Sequence, residues 1–531
     1  MIYQAPLAVL CITIIVSYFY MKSPTEPNAM ANNGLLFISN AAKVHSVCQR
    51  ASKFVKRVLY VNIKENSDNT LPLLSKQIDN LYSKSQTSNL DLRLMLKPSD
   101  TIREIKTGHP IDMILYDSEL AKEIDELKHT VSTVSSGYKL QSIETHGASQ
   151  HVQEDPLKTY ENVALGGTFD RLHNGHKILL SQAALRATKL LTVGVTDVNM
   201  IQSKTLWELI EPVEVRIEQV LNFLKDINPD LEYNVFPLKD LYGPTKDDPR
   251  YQLIVVSEET LRGANKINEK RVENGLQPMD VHVIGMAQDA HPDHSLEEED
   301  KISSSNQRMR LLGTLLRPPV PNPNIPDWPY VIGLAGGIAS GKSNITNKLK
   351  LKGVGVVNCD IIAHDLYKPG LPLNRTISEV FGQDIITDAG EVDRKKLGQI
   401  VFSDTKQLEK LNSIVWPAVI AEAQRQIRAF GELGHRVVVM EAAVMVRARW
   451  YHYCHQLWAV IVPRDEAIKR LQDRNNLTIE EATQRVNAQP SNEEQIAKAN
   501  VVFSPFWSYD YTQGQIDRAW QGLQEILDAR K

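Results

Sequence analysis

A glycine-rich segment that ends in lysine and serine, Gly336 to Ser343, constrains the fold of this chain more than any other feature. It reads Gly-Gly-Ile-Ala-Ser-Gly-Lys-Ser and fits the pattern GxxxxGK[ST]. The apolar run Tyr330–Ala335 precedes it, and two apolar residues four apart, Ile345 and Leu349, follow it. The sequence therefore predicts a loop at a strand-to-helix junction, which is the context that this motif requires.

The loop predicts a binding site for the phosphates of a nucleotide. Glycines let backbone N–H groups surround phosphate oxygens, and the following helix directs its positive end at the same anion. Lys342 is expected to neutralise the β- and γ-phosphates, and Ser343 to hold Mg²⁺. The predicted phosphate-binding residues are Gly336, Gly337, Ile338, Ala339, Ser340, Gly341, Lys342 and Ser343. A chance glycine-rich turn is the competing interpretation.

Length and composition favour a chain of several domains that acts on small molecules. At roughly 150 residues per domain, 531 residues suggest three or four domains. With 60 basic and 64 acidic residues, the net charge of −4 offers no broad basic surface for nucleic acid. The four cysteines are far apart and lack CxxC spacing, which argues against a disulfide framework and a zinc site and fits a reducing compartment.

The N-terminus carries an uncharged apolar run from Ala5 to Met21. As a helix it would rise about 25 Å against a hydrocarbon core of about 30 Å, so it is barely long enough to span a membrane. It lacks the positive n-region of a secretory signal, and the basic residues Lys22, Lys43 and Arg50 follow it. This bias predicts a membrane anchor over residues 1–22 with the body in the cytosol; a cleaved or buried apolar tail is the alternative.

Composition divides the rest of the chain into domains and linkers. Residues 23–54 and 133–158 are expected to be linkers, and residues 55–132 a small α/β domain of unknown role. Residues 317–329 contain five prolines in nine positions and predict a semi-rigid joint. In residues 330–531, apolar runs alternate with helical patterns, which indicates a parallel sheet with helices on both faces.

A second motif lies in Gly166–His176, which follows the strand-like run Asn162–Leu165. His173 and His176 are expected at the N-terminus of a helix, where both imidazoles could contact one anion. A helix N-terminus lowers the pKa of imidazole, so these groups can donate hydrogen bonds to phosphate without being fully cationic. Zinc is the competing ligand, but no third metal-binding residue is evident.

Gly-Thr-Phe-Asp followed by His-x-Gly-His resembles the HxGH nucleotidyltransferases, in particular the phosphopantetheine adenylyltransferases of bifunctional coenzyme A synthases. Later segments follow the order of that family, with Lys204 in a Ser-Lys pair and Arg262 after the strand-like run Tyr251–Glu259. Lys301–Arg308 matches the closing motif ISSxxxR. The resemblance implies a Rossmann-like domain over residues 159–316.

The resemblance also implies which residues bind ATP in this domain. Thr168, His173 and His176 would contact the ATP phosphates, and Lys204 the reacting phosphates. The remaining members of the implied ATP-binding set are Gly167, Arg262, Ser303, Ser304, Ser305 and Arg308. His176 and Lys204 would be catalytic through positioning and charge neutralisation. The segment His291–His294 together with Glu297–Asp300 could be a metal cluster, but a solvated acidic loop is the simpler interpretation.

The last domain resembles the dephospho-coenzyme A kinases, with residues 330–531 forming a P-loop kinase domain. Asp360, in Asp-Ile-Ile-Ala-His, would accept the proton of an attacking ribose 3′-hydroxyl; a helix cap is the alternative. Arg485 is expected in a lid over the triphosphate, while Arg470 and Arg474 are either lid residues or a solvated helix face. Met440–Arg447 departs from the acceptor-site pattern of the family.

Together the two resemblances imply the last two steps of coenzyme A synthesis, both using ATP and Mg²⁺. The expected partners are 4′-phosphopantetheine, dephospho-coenzyme A and ATP, without nucleic acid. The expected location faces the cytosol on the mitochondrial outer membrane, with cytoplasm or mitochondrial matrix as alternatives. A GTPase would need an NKxD motif, a tRNA-directed synthetase would need a basic face, and a scaffold would need a degenerate kinase half.

Overall fold

The computed structural model describes residues 30–64, 71–84, 90–97, 104–144, 157–291, 294–402 and 404–530. The chain forms two compact units. The first contains Met1–Gly167, Asn174–Val195 and Ile217–Pro292, and the second contains Thr168–His173, Thr196–Arg216 and Asp293–Lys531. Among the described residues, no helix is both long and apolar enough to cross a membrane. The predicted anchor at residues 1–22 lies outside the described residues.

The first unit begins with a five-stranded parallel sheet in the order β3-β2-β1-β4-β5. Its strands are β1 (Ala31–Ile38), β2 (Val55–Ile63), β3 (Asp91–Leu94), β4 (Ile111–Asp117) and β5 (Val134–Ile143). Its helices are α1 (Val44–Ala51), α2 (Leu71–Lys84) and α3 (Ile124–His129). The central strand β1 is buried from Asn33 to Ile38, because helices and neighbouring strands cover it on all sides.

The structure corrects two predicted linkers. Residues 23–54 were expected to connect domains, but 31–38 form the central strand β1 and 44–51 form α1. The apolar run in β1 is short and has Asn and Pro residues near it, so the sequence pattern did not indicate a strand. Such a short run is typical of a fully buried parallel strand. Residues 133–158 were also expected to be a linker, yet 134–143 form β5. β5 is an exposed edge strand, so its polar composition resembles that of a loop.

A second sheet of five strands follows in the same unit, in the order β10-β9-β6-β7-β8. Its strands are β6 (Tyr160–Gly167), β7 (Ala187–Thr196), β8 (Glu232–Leu238), β9 (Leu253–Ser257) and β10 (Asp280–Ile284). Its helices are α4 (Asn174–Arg186), α5 (Val213–Ile227) and α6 (Leu261–Glu273). The order reverses at β6, whose carboxyl end carries the second motif. Open α/β sheets bind their ligands at such a position.

The second unit contains a third parallel sheet, in the order β12-β13-β11-β14-β15. Its strands are β11 (Tyr330–Gly336), β12 (Gly355–Asn358), β13 (Val437–Glu441), β14 (Gln456–Val460) and β15 (Val501–Phe503). Its helices are α7 (Ser304–Leu311), α8 (Lys342–Lys350), α9 (Cys359–Leu366), α10 (Pro372–Phe381), α11 (Arg394–Phe402), α12 (Thr405–Glu432), α13 (Arg464–Asn475), α14 (Ile479–Asn487), α15 (Asn492–Ile496) and α16 (Tyr509–Asp528).

Side chains of the central strand β11 pack into the apolar core on each face of this sheet. Tyr330, Ile332 and Leu334 pack on the side of α16, together with Trp458 and Phe503, whose rings lie 5.3 Å apart. Residues between them, such as Val331 and Ala335, pack on the side of α12. This alternation follows from the two-residue period of a strand. It holds the carboxyl end of β11, where the glycine-rich loop begins, rigidly between two packed layers.

Candidate functional site

The glycine-rich loop lies where the sequence predicts it, between β11 and α8. Ala339 and Gly341 have positive φ angles of 60° and 96°, which turn their backbone into the left-handed region. At Gly341 a Cβ atom would also lie 2.7 Å from the Pro505 ring. The position therefore requires glycine both for its conformation and for its close approach to the segment after β15.

Lys342 is folded back over the loop that precedes it. Its Nζ donates to the carbonyl oxygens of Gly336 and Gly337 at 2.7 and 3.0 Å. Burial lowers the pKa of Lys342, while the charges of Glu441 and Asp360 partly restore it. A polyphosphate in the loop would offer oxygens that carry more negative charge than these carbonyls, so the ammonium is poised to exchange one set of acceptors for the other.

Glu441 is a candidate functional residue that the sequence did not single out. It ends β13, is 4% exposed, and its Oε2 accepts hydrogen bonds from Thr346 and Asn358 at 3.3 Å each. Burial raises its pKa; Lys342 opposes this shift and Asp360 adds to it. The sequence carried part of the signal, an acidic residue directly after the apolar run 437–440, but only the pairing of β13 with β11 places it at the edge that carries the loop.

The oxygen ligands at this edge fit Mg²⁺. The Ser343 hydroxyl at the start of α8 and the Glu441 carboxylate are hard oxygen donors, and Glu441 lies close enough to Lys342 for their charges to interact. The described part of the chain contains no cluster of three or more His, Cys, Asp or Glu side chains that could hold a metal. This is compatible with Mg²⁺, which commonly uses one or two carboxylates and completes its shell with water and substrate phosphates.

Asp360 lies two residues past β12 in the first turn of α9 and is exposed. Asn358 caps this helix instead, because its Oδ1 accepts a hydrogen bond from the Ile361 amide at 3.0 Å. The alternative in which Asp360 serves as the helix cap is therefore wrong. Its carboxylate remains available to a substrate hydroxyl at the edge that also carries Glu441.

The three predicted lid arginines differ in their surroundings. Arg470 donates to the Pro505 carbonyl at 2.8 Å and to Glu466 at 2.6 Å, so it is anchored beside the glycine-rich loop and is not on a solvated face. Arg474 contacts the Asn475 side chain at 3.0 Å on the surface. Arg485 in α14 is exposed, and within the described residues its guanidinium makes neither a hydrogen bond nor an ion pair. Of the three, Arg485 is the one free to contact a phosphate.

Gln489 ends the predicted lid segment Arg485–Gln489 and contacts the glycine-rich loop, a contact that the sequence did not indicate. Its Oε1 accepts a hydrogen bond from the Ile338 amide at 2.5 Å. Gln489 follows α14, the helix of Arg485. The glycine-rich loop and the segment that follows the helix of Arg485 are therefore in direct contact through this side chain.

The nucleotidyltransferase motif is divided between the two units, and each part has its own surroundings. In the second unit, Asp170 is fully buried and binds Arg308 Nη1 at 2.8 Å and the Glu211 amide at 3.0 Å. Ser304 Oγ lies 3.3 Å from His173 Nε2 and donates to the Asp170 carbonyl at 3.2 Å. The serine-rich motif and the first histidine of the HxGH motif are thus neighbours, as the resemblance requires.

Arg308 and Ser303, which are expected to contact the ATP phosphates, both have partners within the protein. Arg308 is 1% exposed, and its guanidinium is engaged by Asp170 and by the Thr205 carbonyl, at 2.8 Å each. Ser303 Oγ caps α7 by accepting the Asn306 amide at 3.1 Å. Arg308 thus supports Asp170 in this structure, and the expected phosphate contacts of Arg308 and Ser303 stay predictions. The expected contacts of Thr168, Ser304 and Ser305 stay predictions.

Lys204 faces a cavity of about 920 Å³ within the second unit. Desolvation and the charges of Arg308 and Arg216 lower its pKa. The described residues place no carboxylate within ion-pair distance of its ammonium, so it is available to an anion. Gly337 and Ser340 of the glycine-rich loop line the same cavity. Two segments with predicted phosphate contacts therefore share one compartment.

The first unit holds the remaining predicted residues of this motif. Gly167 ends β6, and His176 is the third residue of α4, where it is half-buried. Arg262 is exposed in the first turn of α6, directly after β9. All three lie at the carboxyl ends of adjacent strands of one sheet, β6 and β9. Their expected contacts with ATP stay predictions.

The fold and both sites define an enzyme that joins a P-loop phosphotransferase to a Rossmann-like nucleotidyltransferase. The family profile described as "Dephospho-CoA kinase" matches residues 330–505, and the profile described as "Cytidylyltransferase-like" matches residues 164–310. The chain belongs to the dephospho-CoA kinase family, with a cytidylyltransferase-like domain fused ahead of the kinase domain.

Two curated relatives agree with this assignment. The dephospho-CoA kinase of Carboxydothermus hydrogenoformans is 37% identical over 186 residues, which are 35% of this chain and 90% of that protein. A phosphopantetheine adenylyltransferase of Saccharomyces cerevisiae is 37% identical over 182 residues, which are 33% of this chain and 58% of that protein. Among solved structures, TT1252 from Thermus thermophilus is 26% identical with a TM-score of 0.33, covering 38% of this chain and 98% of that one.

Proposed function

We propose that this chain catalyses two consecutive reactions with ATP. In the first, a phosphate oxygen of 4′-phosphopantetheine attacks the α-phosphorus of ATP, the bond from that phosphorus to the bridging α–β oxygen breaks, and pyrophosphate leaves. In the second, the ribose 3′-oxygen of the resulting dephospho-coenzyme A attacks the γ-phosphorus of a second ATP. The bond between the γ-phosphorus and the β–γ oxygen breaks, and ADP leaves with coenzyme A as the product.

One observation carries the proposal for the kinase step. The complete loop from Gly336 to Ser343 lies at the carboxyl end of the central strand, with Glu441 ending the adjacent strand. Lys342 would neutralise the transferred phosphoryl group, and Asp360 would accept the proton of the 3′-hydroxyl. Ser343 and Glu441 would hold Mg²⁺, which supplies positive charge beside the polyphosphate.

The adenylyl transfer needs no protein nucleophile, because the acceptor phosphate is itself the attacking group. By the resemblance, His173, His176 and Ser304 would donate hydrogen bonds to the ATP phosphates. Lys204 would approach the reacting phosphates from its cavity, where burial and the charges of Arg308 and Arg216 lower its pKa and the charge of a polyphosphate would raise it again. Catalysis would come from positioning and from charge neutralisation at the transition state.

The purified full chain provides the test. With 4′-phosphopantetheine, ATP and Mg²⁺, we expect it to form first dephospho-coenzyme A and then coenzyme A. Mass spectrometry measures both products over time. Lys342→Ala should stop the sequence at dephospho-coenzyme A and lower the kinase rate about 100-fold or more. Lys406→Ala, which removes an exposed lysine at the start of α12, is the matched control and should change neither rate.

Two outcomes would contradict the proposal. If the wild-type chain formed neither product, both activities would be excluded. If Lys342→Ala made coenzyme A at the wild-type rate, the phosphate loop could not have the role assigned here.

We also propose that the apolar N-terminal run anchors the chain to a membrane, with the enzyme facing the cytosol at the mitochondrial outer membrane. The support is the uncharged segment from Ala5 to Met21 and the basic residues that follow it. Fractionation of cells that express the full chain or a chain without residues 1–22 tests this. Equal recovery of both chains in the soluble fraction would contradict it.

A further inference from the structure

The helix that begins at the HxGH motif is held by the N-terminal sheet of the same unit. Lys177, directly after His176, is 5% exposed, and its Nζ lies 2.5 Å from Oδ1 of Asp91 on β3. Asn174, the variable residue of the motif, donates from Nδ2 to the Tyr82 carbonyl at 2.9 Å. Two polar contacts therefore join residues on either side of His176 to a domain that has no assigned role.

Further along α4, Gln182 fixes the rotation of the helix. Its Nε2 donates to the Ser75 carbonyl and to Asp79 Oδ1, at 2.8 Å each. The Ser75 hydroxyl donates in return to Gln182 Oε1 at 2.8 Å. Because these bonds are directional and buried at the contact between α2 and α4, a rotated or shifted helix would leave several polar groups unsatisfied.

Asp91 is itself fixed by a charged network that reaches helix α5 of the nucleotidyltransferase domain. Arg93 donates to Asp91 Oδ2 at 2.8 Å through Nη2 and at 3.1 Å through Nε. Arg93 also binds Asp226 near the end of α5, and Asp226 accepts from the Gly108 amide at 2.7 Å. Burial alone would raise the pKa of Asp91, but Lys177 and Arg93 outweigh it and lower the pKa, so the carboxylate is charged at neutral pH.

We propose that the N-terminal domain is a positioning element for adenylyl transfer, and that Asp91 acts through Lys177 to fix the start of α4 and the imidazole of His176. It rests on the adenylyl transfer proposed above. Asp91 is a positioning residue, since it is bound to Lys177 and Arg93 and contacts none of the predicted ATP-binding residues directly. A small displacement of a group that contacts the reacting phosphates lowers the rate steeply, by as much as about 100-fold for 1 Å.

Asp91→Asn in the full chain tests this, because it keeps the shape and removes the charge that holds Lys177. We expect kcat for adenylyl transfer to fall about tenfold or more while KM for ATP changes less than about twofold, the pattern of an interaction used in the transition state. The kinase rate with supplied dephospho-coenzyme A, measured on the same preparation, should be unchanged. Asp125→Asn, which breaks an exposed pair with Lys128 in the same domain, should change neither rate.

Two further variants separate positioning from a merely structural role. Lys177→Met should reduce kcat for adenylyl transfer as Asp91→Asn does, and the double variant should be no slower than Asp91→Asn alone, because Asp91→Asn already removes the charge that Lys177 binds. Asp91→Glu keeps the charge and should recover most of the lost rate. This variant also retains the ion pair, so it provides a folded comparison if Asp91→Asn unfolds.

The outcomes are distinguishable. An Asp91→Asn chain with wild-type kcat for adenylyl transfer would overturn the inference, and so would parallel loss of both activities or an Asp91→Glu chain no better than Asp91→Asn. A wild-type chain without adenylyl transfer would instead overturn the proposed function.

Discussion

Lys342 and Glu441 carry opposite charges and lie near each other at the edge of the third sheet. Each is buried, and burial shifts each pKa toward the neutral form, while the partner's charge opposes the shift. Such a pair contributes little to stability, since desolvation offsets the attraction of the charges. Its value lies in function, because a polyphosphate with Mg²⁺ would satisfy both charges at once.

Glu441→Gln should therefore separate function from stability. We expect the kinase rate to fall about 10- to 100-fold, because the substituted amide is a weaker ligand for Mg²⁺ and its water shell. Adenylyl transfer should be unchanged. A steady-state assay of each step with its own acceptor checks both statements, and Glu409→Gln on the exposed face of α12 is the control.

The same variant has a defined pH dependence. The pKa of Glu441 is raised in the folded state, so its ionisation costs stability above the unfolded pKa, and that cost vanishes as the pH falls below it. Glu441→Gln is neutral throughout. Its Tm without ligands should match or exceed the wild-type value at pH 7, and the difference should disappear below about pH 4. A Tm of Glu441→Gln below the wild-type Tm at pH 7 would contradict the conclusion that ionised Glu441 lowers the stability of the folded state.

At the residue scale, the sequence alone identified those site residues that belong to a contiguous motif. Lys342, Ser343 and Asp360 lie at the edge that their motifs predict. Glu441 was missed because its importance arises from the pairing of β13 with β11, a contact between distant segments. Arg308 was found by its motif, but the motif could not distinguish a phosphate contact from a buried support of Asp170.

At the element scale, the helices and strands with strong local patterns were predictable, and those defined by their place in a sheet were not. β11, α8 and β6 lie within a few residues of their predicted positions. β1 was missed because a central parallel strand needs only a short apolar run. β5 was missed because an edge strand with one covered side has the composition of a loop.

The turn after α7 makes an element-scale prediction. Gly313 has a φ of 77°, and a Cβ there would clash with the Gln515 backbone carbonyl of α16. Its amide also donates to the Val502 carbonyl at 2.8 Å. Gly313→Ala should therefore force α7 away from α16 and β15, and we expect it to destabilise the second unit by about 3 kcal/mol or more.

Gly353→Ala is the matched comparison. Its φ of 81° imposes the same backbone strain, but no atom lies within 4 Å of the added Cβ. Strain alone should cost about 1 kcal/mol. Urea unfolding of both variants measures the difference, and equal midpoints would show that the close approach at Gly313 is relieved without cost.

At the scale of the whole molecule, the domain boundaries predicted from composition differ from the compact units. The Pro-rich residues 317–329 were expected to separate two domains. Instead, the segments 168–173, 196–216 and 293–316 of the nucleotidyltransferase belong to the same unit as the kinase sheet. Leu206 and Met309 pack there in one core with Ile461 and Val502. Composition cannot detect this, because the packing joins residues more than 140 positions apart.

This organisation bears on how the chain can be cut. The joint at 317–329 is held to the kinase sheet, where Arg317 donates to the carbonyls of Ile496 and Ala499 at 2.7 and 2.9 Å. Separation at this joint would expose the apolar core that the two parts share. The two activities should therefore be compared within the full chain, by single substitutions rather than by truncation.

The most direct test of the central claim counts the ATP sites on each chain. Calorimetric titration of the full chain with Mg²⁺ and an ATP analogue that has an imido group between its β- and γ-phosphates should give two sites per chain. Lys342→Ala should retain one site, and the double substitution His173→Ala with His176→Ala should retain the other. A wild-type chain with a single site, or substitutions that both remove the same site, would contradict the presence of two phosphate-binding centres.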